Sequence, residues 1–160
     1  MPVVQAQQSA LKIGFVNTAR VLKEAPQARK VEERLKAEFE PREAQLKDKR
    51  REILSMEDQL KTDDALNATD RRKLEREIRL KVSQLKFLEQ EFREDQNLRR
   101  NEEIRELQQV ISNVLEAQGD SGKFDLILTE GVSYVSDQID ITSETIEMLK
   151  QISESGEDTQ

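Results

Sequence analysis

The side chains that most often carry chemistry are scarce in this chain. Its 160 residues contain no His and no Cys. That removes the commonest general base near neutral pH, the commonest metal ligand, and all thiol and disulfide chemistry. Carboxylates are abundant, 33 against 26 Lys and Arg. They recur along repetitive charged stretches, with no nucleophile–base pair and no glycine-rich phosphate loop beside them. The sequence therefore reads as that of a non-enzyme that needs no cofactor and holds no metal site. Two short basic runs, Arg71-Arg72-Lys73 and Arg99-Arg100, are the remaining chemical signal. Acids interleave with both, stacking aromatics are missing, and the net charge is −7, so a nucleic-acid partner is not expected.

The charge is spread unevenly. Asp120 to Gln160 carries ten acids and two bases, whereas the first 119 residues are close to neutral. Charged residues make up 37% of the chain and apolar ones 35%, a composition that suits long solvated helices better than a compact core. No window is long and apolar enough to span a bilayer. Val4-Gln5-Ala6 has the small-residue character of the end of a signal peptide, and equally that of an ordinary ragged terminus.

The dominant element is the stretch from Gln27 to Gln118, which reads as two long helices folded into an antiparallel hairpin. Leu35, Phe39, Arg42, Leu46, Lys49, Ile53, Met56 and Leu60 alternate four and three apart, the heptad spacing that places one stripe along a partner helix. Leu74, Ile78, Lys81, Leu85, Leu88 and Phe92 repeat the rhythm on the return arm. A further stripe follows at Ile104, Leu107, Ile111 and Val114, and the twelve-residue step from Phe92 breaks the register. At about 1.5 Å per residue, each arm would be ~50–70 Å long. Pro41 falls inside the first arm and reads as a kink, or as a hinge, because the heptads continue beyond it. The turn-rich string from Thr62 to Asp70 marks the tip, with Leu66 its one clear apolar residue. Glu75–Arg79 and Glu77–Lys81 are i,i+4 pairs of a solvated face.

Around this hairpin the sequence predicts a small β head. Leu11 to Asn17 alternates as a strand, and Asn17 or Thr18 caps a short helix that stops before Pro26. Gly119 and Gly122 end the return arm. Phe124 to Thr129 reads as a strand, Glu130-Gly131 as a turn, Val132 to Val135 as another strand, and Thr142 as the cap of a closing helix on which Ile146, Leu149 and Ile152 share a face. The expected fold is thus α+β, mostly α. The head is expected at 11–25 and 119–152, the hairpin at 26–118 with its tip near 62–70, and disordered polar ends at 1–10 and 153–160. Three short strands from one chain bury little, so the apolar strand faces predict an obligate homo-oligomer with a shared sheet or barrel.

KIGFVN with its short helix, the charged hairpin with RRNEE on its return arm, FDLILTEGVSYVSDQIDIT and the closing TIEMLKQI resemble the Skp/OmpH family of periplasmic chaperones. The resemblance spans Lys12 to Ile152, and its specificity lies in the order of segments and not in any one motif. It implies a homotrimer with a shared β-barrel body and three helical tentacles around a cavity. It also implies an ATP-independent holdase that keeps unfolded outer-membrane β-barrel proteins from aggregating in the periplasm. By resemblance, Ile13, Phe15, Phe124, Leu126, Leu128, Val132 and Val135 belong to the oligomerisation body. Phe39, Leu46, Ile53, Met56, Leu60, Leu66, Leu85 and Phe92 are candidates for client contact or for packing within the hairpin, and Pro41 falls at the family's bend. The best-known members are strongly basic and this chain is acidic. Only Arg99 and Arg100 fall near the place of a basic cluster proposed to contact lipopolysaccharide or a membrane surface. The alternative reading is a structural coiled-coil scaffold or spacer without client binding, whose seam would be fully buried.

Overall fold

The computed structural model describes residues 10–156. The expectations of disorder at 1–9 and 157–160 lie outside the described residues. The elements in chain order are β1 (Ile13–Phe15), α1 (Thr18–Glu24), α2 (Pro26–Thr62), α3 (Ala68–Asp120), β2 (Leu126–Leu128) and α4 (Thr142–Ser155). The chain divides into two compact units, one of residues 1–31 and 103–160 and one of residues 32–102.

The first unit is built on a parallel pairing of β1 with β2, in the register Ile13 to Leu126, Gly14 to Ile127 and Phe15 to Leu128. The other side of β1 is also occupied. The Phe15 amide donates to the Ile139 carbonyl at 2.7 Å and the Ile141 amide donates to the Phe15 carbonyl at 2.9 Å. At Gly14 the constraint is closeness rather than a turn, and a larger residue would need the Ile141 and Phe124 side chains to shift. A Cβ there would stand 2.8 Å from Ile141 Cδ1 and 3.2 Å from Phe124 Cδ1. The core beneath gathers Val16, Val21, Ala25, Leu107, Ile111, Val114, Ile141 and Leu149. Polar residues buried in it are hydrogen-bonded: Gln27 Nε2 donates to the Leu149 carbonyl at 2.7 Å, and the Thr145 hydroxyl donates to the Ile141 carbonyl at 3.0 Å.

Capping follows the short polar side chains. Asn17 Oδ1 accepts from the Arg20 amide at 3.0 Å and starts α1, so of the two caps the sequence offers, Asn17 takes the role and Thr18 is the first helical residue. The cap of α4 differs. Thr142 is the first helical residue and not the cap: Ile141 holds that position, and Asp140 Oδ1, two residues before Thr142, accepts from the Thr142 amide at 2.9 Å. Two further expectations are corrected. Val132 to Val135 forms no strand, since among the described residues no backbone pairs with it, and an unpaired strand has no ladder to hold it. The helical part of α4 continues to Ser155 and ends at Gly156 with φ 78°, past the expected boundary at 153.

The second unit is the paired part of α2 and α3. Cross-helix partners run in opposite order along the two elements: Glu38 with Arg99, Arg42 with Asp95, Arg50 with Glu89 and Glu52 with Lys81. At the tip Arg71 Nη1 donates to the Leu60 carbonyl at 2.8 Å, and Asn67 caps α3 by accepting from the Asp70 amide at 2.8 Å. α2 is one helix from Pro26 to Thr62 with Pro41 inside it. The expected hairpin bounds of 26 and 118 follow the two helices themselves, and the compact unit takes only residues 32–102 of them. Leu107, Ile111 and Val114 of α3 pack in the core of the first unit, which explains the register break after Phe92: the two stripes serve different partners.

Candidate functional site

The hairpin seam closes on itself. Phe39, Leu46, Ile53 and Ile78 are buried in it. Phe39 and Phe92 meet edge to face, with centroids 5.6 Å apart and planes at 86°. Arg42, a charged residue at a seam position, lies with its guanidinium 5.9 Å from the Phe39 ring centroid and 5.8 Å from that of Phe92. Its Nη1 reaches Asp95 Oδ2 at 2.6 Å. The aliphatic stem and the cation–π contact thus keep an ion in an apolar line.

Of the eight hairpin positions singled out from sequence, Phe39, Leu46 and Ile53 are buried in the seam, and Met56, Leu60, Leu66, Leu85 and Phe92 are half-buried. The side chains that the hairpin leaves in solvent are others: Leu54 (64% exposed), Leu80 (59%), Phe87 (61%) and Leu98 (55%). Sequence reasoning followed the heptad stripe and so passed over them. The available signal was an apolar residue at a position where the heptad calls for a polar one.

In the first unit, Ile13, Phe15, Phe124 and Val135 are half-buried, while Leu126, Leu128 and Val132 are exposed. Tyr134, 83% exposed, stands beside them. A hollow of about 240 Å³ is lined by Leu115, Gly119, Phe124, Leu126 and Ile127 with Glu116 and Asp125.

Among the basic positions, Arg71, Lys81 and Arg99 are engaged. Arg99 is forked between Glu38, at 3.1 Å, and Glu102, at 2.7 Å, and these bonds raise its already high pKa. Glu52 raises the pKa of Lys81 through a hydrogen bond and its charge. Asp140 is shifted down, first by the Thr142 hydroxyl and then by the Thr142 amide, both of which favour its ionised form. Among the described residues no three His, Cys, Asp or Glu side chains are grouped to hold a metal ion. No helix of the described residues is long and apolar enough to cross a membrane.

A self-sealed helical hairpin combined with a small parallel-stranded unit defines a recognisable class. Residues 12–149 match the model of the family described as Outer membrane protein (OmpH-like), and the chain belongs to that family. Its members are non-enzymatic chaperones. Among curated proteins, the Chaperone protein Skp of Pectobacterium atrosepticum is 26% identical over 145 residues, covering 89% of this chain and 88% of that one. The Skp of Yersinia enterocolitica is 25% identical, covering 91% and 90%, and that of Vibrio cholerae is 27% identical, covering 92% and 89%. The crystal structure of an OmpH-like protein from Caulobacter crescentus CB15 superposes with a TM-score of 0.76 at 14% identity, covering 88% of this chain and 85% of that one. That likeness shows the fold.

Proposed function

We propose that this chain is an ATP-independent holdase for unfolded outer-membrane β-barrel proteins, acting in the periplasm as a homotrimer. The observation that carries the reading is the set of large apolar side chains left in solvent on a hairpin whose own seam is already filled. A spacer helix pair gains nothing from an outward Phe or Leu, since polar residues serve that face better. A chaperone gains a contact. Apolar area removed from water contributes about 25 cal/mol per Å². Each of these half-exposed side chains therefore offers an unfolded chain on the order of 1 kcal/mol, weak enough to release when the client folds and withdraws its own apolar surface.

Trimerisation is supported by the exposed face of Leu126, Leu128, Val132 and Tyr134 beside a two-stranded sheet, which is too small to be stable uncovered. The engaged state of Arg99 argues against a lipopolysaccharide site at Arg99 and Arg100.

Native mass spectrometry of the protein alone, then mixed with a urea-unfolded outer-membrane porin, tests both parts. A trimer that takes up one porin chain is the expected result. A trimer that ignores the porin would return the chain to the scaffold reading, and a monomer would refute the assembly.

A further inference from the structure

Three of the exposed apolar residues, Leu80, Phe87 and Leu98, lie on α3 within the hairpin unit. At 3.6 residues per turn, their spacings of seven and eleven residues return them to within roughly 20° of one line. That line is on the far side of α3 from the seam: Leu80 is two residues, about 200°, from buried Ile78, and Phe87 is five residues, about 140°, from Phe92. Gln84, Glu91 and Glu94 fill the steps between them.

We propose that this line is the client-facing track of the hairpin, and that its occupant is a single extended segment of unfolded polypeptide that uses the three residues as alternative anchors, one at a time. The inference rests on the holdase reading and assigns its contact residues. Two arguments select the occupant. A partner helix, including one from a second copy, needs an apolar contact every three to four residues, and this line offers one every seven to eleven. The available area is also small. Three side chains a little over half exposed present on the order of 350 Å², less than half of the ~800 Å² per partner of a stable protein interface. A flexible chain needs no such area at any one moment.

The spacing then sets the mode. The anchors are ~10.5 and ~16.5 Å apart along the helix axis. Same-side residues of an extended chain repeat every ~6.6–6.8 Å. Neither gap between neighbouring anchors is a multiple of that repeat, so no register of an extended client fills two neighbours squarely. Leu80 and Leu98, ~27 Å apart, do match four repeats, but holding the roughly eight client residues between them extended costs backbone entropy at each one, which together exceeds what the second anchor returns. A client meets one anchor, leaves it and meets the next. Such a track has no sequence register to read, which suits a chaperone of many clients.

This mode has a quantitative signature. Association constants of alternative sites add, whereas simultaneous contacts multiply. In the full-length protein, Leu80→Gln, Phe87→Gln and Leu98→Gln would each weaken binding of a fluorophore-labelled, urea-unfolded porin by about 1.5-fold, any pair by about threefold, and the triple variant by more than tenfold. Circular dichroism and native mass serve as the control that these exposed substitutions leave fold and assembly intact. Wild-type binding with a triple variant within twofold of it would overturn the track and leave the holdase reading standing. Single variants that each cost fivefold or more would overturn the one-at-a-time mode. A wild-type protein that fails to bind the porin would overturn the holdase reading and the track with it.

Discussion

The substitution Phe39→Ala tests whether the hairpin is held by its seam. Phe39 is 4% exposed, and its ring meets Phe92 edge to face under the Arg42 guanidinium. Truncating a buried Phe to Ala costs about 3–5 kcal/mol where the cavity stays open. This seam is one layer deep and Phe92 is only half-buried, so partial collapse from the rim brings the expected cost to ~2.5–3 kcal/mol. About 1 kcal/mol of that belongs to the aromatic pair. At 1.4 kcal/mol per decade, the loss amounts to a roughly 100-fold drop in the protection of amides that exchange through opening of the hairpin. Native-state hydrogen exchange read by mass spectrometry resolves it by segment. Peptides over residues 35–46 and 88–99 would lose protection, whereas those over 142–152, in the other compact unit, would keep it. Phe87→Ala, the same chemistry at a 61% exposed position, is the control and would change protection less than about twofold. A drop below about threefold for Phe39→Ala, or an equal drop in the 142–152 peptides, would refute the claim that this aromatic contact holds the hairpin as its own unit.

Two further outcomes follow from the body. Gly14→Val would place branched carbons where Ile141 Cδ1 and Phe124 already stand at 2.8 and 3.2 Å from a Cβ, and thermal unfolding would show destabilisation of about 1–3 kcal/mol, while Gly131→Asn, in open space at positive φ, would cost less. Asp140 has its folded pKa below the usual carboxylate value, so it contributes stability that is complete above the unfolded pKa of about 4 and is lost as pH falls through the folded value. Asp140→Asn would flatten the acid limb of a urea-midpoint-against-pH profile below about pH 4, and an unchanged limb would count against the Thr142 hydrogen bonds as its source.

What was legible in the sequence was whatever a single helix or turn decides alone. The heptad run from Leu35 to Leu60 and its return from Leu74 to Phe92 placed the seam, and the choice of Asn17 or Thr18 as the cap of α1 was visible because a cap bond spans only three residues. Less legible was anything set by a distant partner. Arg42 breaks the apolar rhythm, and it takes Phe92 and Asp95, fifty and fifty-three residues away, beside nearby Phe39, to explain why it is tolerated. Val132 to Val135 alternates like a strand, yet alternation states a preference for two faces and does not supply a neighbour. The exposed residues of α3 were invisible for a related reason: a search for core positions discards apolar residues that fall off the stripe, and those are the ones a binding surface retains.

The pairing of β1 with β2 also bears on the order in which the chain assembles. Lys12 and Asp125 join by a hydrogen bond across 113 positions of sequence, so the amino-terminal strand must wait for nearly the whole polypeptide before it finds its place. The ion pair of Glu38 with Arg99 spans 61 of those positions. A hairpin that zips first therefore roughly halves the loop that the strands must close, an entropic relief of only ~0.6 kcal/mol but a large reduction in non-local search. The long helices are then the body's folding template as well as its appendage, and a chain whose hairpin is weakened would be slow to complete its sheet.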